Sequence, residues 1–350
     1  MGVGEGNGEW SIVNVSFMRK TSIIAIVFII PGVFISTFSF AQVKWQNVDS
    51  LYQPLPPSVH IYFTDSPIDT SPFRAYYLIA DIKDKKLDFT VDTSHDRRLT
   101  PSAFYERNNK PLVVVNSCFF SYETNRSLNA VIKNGKLVAY NQHTIAGRGK
   151  DTLTYKHPFT GVIGISKKRE ADVAWLYTDS SKKYAYGSPS AINAFKDSIT
   201  NPSFSYITKS TSIITGYHSG KVESLFKKWK MQTAVGGGPV LLQNGEIKIT
   251  NNEELKFSGK AINDKHPRTS IGYTKDNKLI ILVIQGRSES GSGASLIQEA
   301  QLLKDLCCWE ALNLDGGGSS CLLVNGKETI KISDKGGQRS VPSVFIIKEK

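Results

Sequence analysis

The sequence predicts an α+β (mixed α/β) protein: a strand-rich mixed sheet with several hairpins and a C-terminal βαβ crossover unit. Three observations predict it. Short apolar runs recur along the chain, separated by Asn-Gly turns of the kind that close antiparallel hairpins. The run Leu279 to Ile284 is apolar without alternation, as a strand buried on both faces should be. It is followed by a glycine-rich loop, a helix-start signal at Ser295 and a second apolar run, Ala311 to Leu314.

A chain of 350 residues with 40% hydrophobic content can bury one large core or two modest ones. Its first informative segment is Met18-Arg19-Lys20, followed by the apolar run Ile23 to Phe38 and then Ser39-Phe40-Ala41. Basic residues, an apolar stretch and small residues in that order are the layout of a secretory signal. The sequence therefore divides into an upstream extension with a signal from about Met18 (1–41), N-terminal strands (42–111) and a C-terminal region carrying the chemistry (112–350). The expected location is exported, periplasmic or extracellular, with cleavage after Ala41. An uncleaved signal would instead tether the domain to the membrane. No second run of membrane length follows, so no stable span is expected after cleavage.

The formal charge of +12 suits an anionic partner. Lysines such as Lys83 to Lys86 sit at ordinary turns, and no basic stripe is interleaved with aromatics, so a nucleic acid is not the expected partner. The histidines and cysteines show no zinc-ligand spacing, and no metal site is predicted. Cys118, Cys307, Cys308 and Cys321 allow one or two disulfides in an oxidising compartment.

Taken in order, Gln42 to Pro57 reads as an extended lead-in, and His60 to Phe63, Tyr76 to Ile82 and Leu87 to Val91 as strands. Hairpins are expected at Asn134-Gly135, Asn244-Gly245, Asn325-Gly326 and, more loosely, Asp276-Asn277. Thr152 to Lys230 is the least legible stretch. It contains strand pieces at Gly161 to Ile165 and Val173 to Tyr177 and an expected short helix near Ala191 to Lys196, and it has the character of an insertion.

After Leu279 to Ile284 comes the polar loop Gln285 to Gly293, then Ser295-Leu296-Ile297-Gln298, a capping-box pattern. Leu296, Ala300, Leu303 and Cys307 then share one apolar helix face. Strand, loop, helix, strand requires a crossover and favours parallel pairing. Ligands in such units bind beyond the carboxyl ends of the strands. The loops Gln285 to Gly293 and Asp315 to Ser320 are therefore expected to open onto one crevice, with the helix N-terminus offering N–H groups to an anion. Gly316-Gly317-Gly318, between an acid and two serines, exceeds what a turn requires.

These residues resemble the phosphodiester glycosidase family. The resemblance runs through Val113 to Phe120, Gly236 to Leu241, His266 to Gly272, Gly286-Arg287, Glu299-Ala300, Asn313 to Ser319, and Arg339 before the last strand. It implies hydrolysis of a sugar-1-phosphodiester in a phosphorylated glycan. Phosphate is already a fair leaving group. The chemistry then needs a carboxylate to activate water or attack C1, and cations to hold the phosphate. The resemblance assigns Asp315 first and Glu299 second as that carboxylate, with Arg268 and Arg287 as the phosphate clamps. Asn116, Thr269, Gly316, Gly317, Gly318, Ser319 and Arg339 are further substrate contacts. No cofactor is predicted, although Asp315 and backbone carbonyls are donors that a hard divalent cation would accept.

Two departures from the family pattern stand out. Gln285-Gly286 replaces the expected Asp-Gly, which suggests as an alternative a non-catalytic glycan or polysaccharide-matrix binding protein using the same crevice. Ser117-Cys118 replaces two glycines, and a Cys118–Cys321 disulfide across the crevice is one expectation. A serine or thiol hydrolase is a third reading, weakened by the absence of a Gly-x-Ser-x-Gly elbow.

Overall fold

The Asn-Gly turns fold as their residues dictate. The computed structural model describes residues 43–215 and 225–350, so the signal-like segment and the expected cleavage position after Ala41 lie outside the described residues. Positive φ occurs at both turn residues in Asn134-Gly135 (53° and 75°), Asn244-Gly245 (55° and 79°) and Asn325-Gly326 (48° and 78°). Two left-handed residues in succession match the twist of an antiparallel pair. They join Val131–Lys133 to Lys136–Ala139, Val240–Gln243 to Glu246–Ile247, and Leu322–Val324 to Lys327–Glu328. Lys275 to Asn277 joins Arg268–Thr274 to Lys278–Ile284 by a three-residue connection in which only Asn277 has positive φ (64°).

An eight-stranded sheet carries, in spatial order, Gln46–Asn47, Val59–Thr64, Ala75–Asp81, Lys278–Ile284, Arg268–Thr274, Cys308–Asn313, Val240–Gln243 and Glu246–Ile247. A five-stranded sheet is centred on Val113–Asn116 and Ser343–Glu349, and a seven-stranded sheet on Thr160–Ile165 and Thr233–Gly236. A fourth sheet has three short strands.

Alternation explains the core. Leu279, Ile281 and Val283 point into a cluster shared with Val113, Val115 and Val235, whereas Ile280, Leu282 and Ile284 pack under the helix Leu296–Asp305. A run apolar at every position is thus buried on both faces, each side chain contributing about 2 kcal/mol.

The crossover unit is present, but its pairing differs from the expectation. Lys278–Ile284 and Cys308–Asn313 both pair antiparallel with Arg268–Thr274, which lies between them. They run parallel to one another without touching, because the short Asp276-Asn277 turn returns the chain beside its neighbour before the helix carries it over. The helix starts as predicted: Ser295 Oγ accepts from the Gln298 N–H, and Gln298 Oε1 accepts from the Ser295 N–H. Leu296, Ala300 and Leu303 are buried on the sheet, but the helix ends at Asp305. Cys307 therefore falls off the periodic face. It has φ 60° and is exposed, while Cys308 is buried in its place.

The stretch Thr152 to Lys230 supplies four strands of the seven-stranded sheet, from the edge strand Lys227–Trp229 to the central strand Thr160–Ile165. Thr160–Ile165 pairs with Ala171–Tyr177 on one side and Thr233–Gly236 on the other. The helix expected near Ala191 to Lys196 is absent. Phe195–Asp197 is a strand paired with Tyr155–His157, and the Phe195 ring lies 4.8 Å from His157. A segment that short gains more from a ladder and a buried ring than from one helical turn. The helix of this region is Phe204–Thr215. No helix among the described residues is long and apolar enough to cross a membrane.

Candidate active site

Two sheets meet at the end of the strand Val113–Asn116. Asn116 is fully buried and bonds to three segments. Its Nδ2 donates to the Asp315 carbonyl at 2.5 Å, while its Oδ1 accepts from Thr269 Oγ1 and from the Cys321 N–H, each at 3.0 Å. The Asp315 N–H donates to the Ser117 carbonyl at 2.9 Å. Through these bonds Asn116 and Thr269 hold the Asp315 loop in place.

The glycines let cations approach that loop closely. A Cβ on Gly317, whose φ is 61°, would lie 3.3 Å from Nη2 of Arg287, and one on Gly318 would collide with Asp334 and Arg339. A Cβ on Gly316 would sit 2.8 Å from the Pro267 carbonyl, so the loop also lies flat against the Arg268–Thr274 strand. Arg339 is held by Asp334 in a two-bond pair at 2.8 and 2.9 Å. Its guanidinium also faces the Tyr122 ring at 5.9 Å. Arg287 is exposed and makes no ion pair among the described residues.

Asp315 is partly exposed as a residue, yet its Oδ2 is buried and has no hydrogen-bond partner. Burial pushes its carboxyl up to about 7, against the pull of the nearby Ser319 hydroxyl, the Arg339 guanidinium, the Gly316 N–H and the Lys256 ammonium. Ser319 Oγ is likewise buried and unpartnered. The group beside it is the Asp315 carboxyl, and no histidine among the described residues is bonded to it, so Ser319 lacks the imidazole base of a serine hydrolase.

Lys256 escaped sequence reasoning. Its ammonium lies 4.8 Å from the centre of the Phe119 ring and feels Glu254, Cys118 and Asp315. Burial lowers it to about 8. It follows Leu255, which has φ 53°, and Glu254, a buried carboxylate that accepts from the N–H groups of Gly161 and Val240, from Thr250 Oγ1 and from Trp175 Nε1. Asn251 to Lys256 reads as an ordinary polar turn, and no sequence signal marks its lysine or its acid.

Arg268 and Glu299 are each other's charged neighbours, and the Arg268 backbone lies beside the glycine loop. Arg268 is 3% exposed, with Nε donating to the Ala294 carbonyl at 2.9 Å and Nη2 to the Asp264 carbonyl at 3.2 Å. Glu299 is completely buried between helix and sheet, and neither of its oxygens has a hydrogen-bond partner. Burial raises its carboxyl to about 7, and Arg268 and Ser270 oppose the shift. Its charged neighbour is Arg268, whereas those of Asp315 are Arg339 and Lys256. The helix N-terminus is closed by its own capping box, and Gln298 Nε2 donates to Asp69 at 2.5 Å. It faces the protein's own acid instead of an open crevice.

A stability prediction follows for Glu299. The unfolded carboxyl ionises near 4.5 and the folded one near 7, so this group weakens the fold as pH rises between those values. Glu299→Gln is expected to match wild type below pH 4.5 and to be more stable by about 3 kcal/mol above pH 7. Denaturant midpoints at both pH values measure this. An advantage that does not grow with pH would mean that Glu299 is ionised and paired.

Gln285 is buried and bonded to protein groups. Its Nε2 donates to Ser288 and Ser290 at 3.0 and 2.8 Å, and its Oε1 accepts from the Lys331 N–H at 3.0 Å. The amide ties the loop to the segment beyond the last hairpin. The expected Cys118–Cys321 bond is also absent. All four cysteines are free, and Cys118 and Cys321 pack into clusters on opposite faces of the five-stranded sheet.

Fold and site together define a strand-rich α+β protein with a buried carboxylate on a glycine loop, ringed by Lys256, Arg287 and Arg339. The resemblance read from the motifs is borne out: residues 190–348 match the family model described as phosphodiester glycosidase. The chain is 41% identical over 86 residues to a SPbeta prophage-derived protein of Bacillus subtilis, covering 25% of this chain and 13% of that protein. It is 29% identical over 128 residues to the N-acetylglucosamine-1-phosphodiester alpha-N-acetylglucosaminidase of Mus musculus, covering 34% and 24% respectively. The human enzyme of that name is 30% identical over the same length. The chain thus spans a quarter or less of these relatives. In fold it is similar to a protein from Synechocystis (TM-score 0.58, 13% identity, 88% of this chain and 68% of that one). It is also similar to the catalytic domain of the zebrafish N-acetylglucosamine-1-phosphodiester alpha-N-acetylglucosaminidase (TM-score 0.53, 19% identity, 88% of each chain).

Proposed function

We propose that the protein hydrolyses a sugar-1-phosphodiester, breaking the bond between C1 and the phosphate oxygen and leaving the phosphate on its acceptor. One observation carries the reading: the unpartnered, buried Oδ2 of Asp315, with two arginines and a lysine around its loop. A carboxylate with a free oxygen can attack C1 or take a proton from water. Cations beside it favour a phosphodiester in the ground state and the phosphate charge that develops as the bond breaks. Water supplies the hydroxyl at C1, and the phosphate leaves as a monoester. A panel of sugar-1-phosphodiesters assayed with wild type and Asp315→Asn tests the proposal. Tight binding without sugar release by wild type would decide for a glycan-binding module.

Lys256 gives this reading a pH signature. Asp315 is ionised above about 7 and Lys256 is cationic below about 8. Activity should therefore rise through the first value and fall through the second. Lys256→Met is expected to raise KM about tenfold or more, lower kcat less, and remove the alkaline limb. An alkaline limb unchanged in the variant would assign it to another group.

A further inference from the structure

On the outer face of the seven-stranded sheet, four separate segments bring lysines around one groove of about 400 Å³. Lys136 comes from the Asn134-Gly135 hairpin, Lys167 from the turn after Thr160–Ile165, Lys183 from the approach to Ala185–Ser188, and Lys230 from the end of Lys227–Trp229. All four are exposed, and none is ion-paired among the described residues. The groove is lined by no carboxylate. Its floor is apolar, built from Ile132, Leu137, Trp229 and Met231, with Tyr184 on the wall.

We infer that this groove binds a short segment of an anionic polysaccharide, separately from the Asp315 crevice. Acidic sugars carry negative groups on rings whose C–H faces are apolar, and the groove offers ammonium groups above an apolar floor. Its volume falls in the range of small-ligand sites. A single strand held by base stacking would require a free aromatic platform. Here the ammoniums of Lys183 and Lys230 lie over Tyr184 at 5.5 and 5.6 Å, and Trp229 is 7% exposed with its indole N–H donated to Asp172. Both rings are engaged by the protein.

The test is titration of the full chain with a hexameric oligogalacturonate at two salt concentrations. The probes are wild type, the triple variant Lys136→Gln/Lys183→Gln/Lys230→Gln, and a control of equal charge change, Lys85→Gln/Lys86→Gln/Lys150→Gln. Binding is expected to weaken about tenfold in the groove variant and less than about twofold in the control, with wild-type affinity falling as salt rises. Equal losses in both triples, no binding by wild type, or tighter binding of a single-stranded oligonucleotide of the same charge would overturn the inference.

Discussion

Asp315→Asn is expected to lower kcat on a sugar-1-phosphodiester by about a thousandfold or more while leaving the protein folded. The amide keeps the size of the carboxyl and can still take part in the loop, but it is neither a base nor a nucleophile. Because burial already holds the wild-type carboxyl up to about 7, the neutral amide resembles the form that the fold tolerates best. The sign of the linkage is definite. The wild-type group costs stability as pH rises from the ordinary carboxyl range to about 7, so the variant should be no less stable than wild type above that pH. Loss of rate without loss of stability identifies a reacting group. A variant retaining more than about a tenth of the wild-type rate would remove Asp315 from the chemistry.

The parts of this site that sequence reasoning reached are those whose chemistry is local. A glycine run after an acid, an Asn-Gly turn or a Ser-x-x-Gln cap is decided by neighbouring residues, and each occurs where it was expected. The Asp315 loop is legible for that reason. What lies across the fold is not. Gly161, Trp175, Val240 and Thr250 converge on Glu254 from distant points of the chain. Asn116 and Gln285, which read as a contact and a missing acid, are absorbed by hydrogen bonds to Cys321 and Lys331. Glu299 shares the i, i+3, i+4, i+7 face of Leu296, Ala300 and Leu303, so helical spacing turns it towards the sheet, and its acidic side chain is what made it read as a crevice residue. The strands between Thr152 and Lys230 were hard to read because most are short and pair with partners far away in sequence.

Glu254→Ala is expected to cause the largest loss of stability of any single substitution near the site. The carboxylate is 1% exposed and accepts from four donors: two backbone N–H groups at 2.9 Å, the Thr250 hydroxyl at 2.6 Å and the Trp175 indole at 3.1 Å. Truncation leaves all four facing a void, at about 1 kcal/mol or more each. A summed loss of about 4 kcal/mol would be a large part of the margin of a natural protein, and the melting temperature should fall by roughly 8 °C or more. Glu254→Gln retains the shape but turns one acceptor into a donor aimed at donors, so it should destabilise less while still disturbing the turn. That turn sets Lys256, because Leu255 between them takes the left-handed conformation. A folded Glu254→Gln protein is therefore expected to show the raised KM of Lys256→Met with kcat less affected, a split that general destabilisation would not produce. Thermal unfolding measures the first effect and steady-state kinetics the second. If Glu254→Ala melts within about 2 °C of wild type, Glu254 is not the anchor that joins the glycine turn to the lysine of the site.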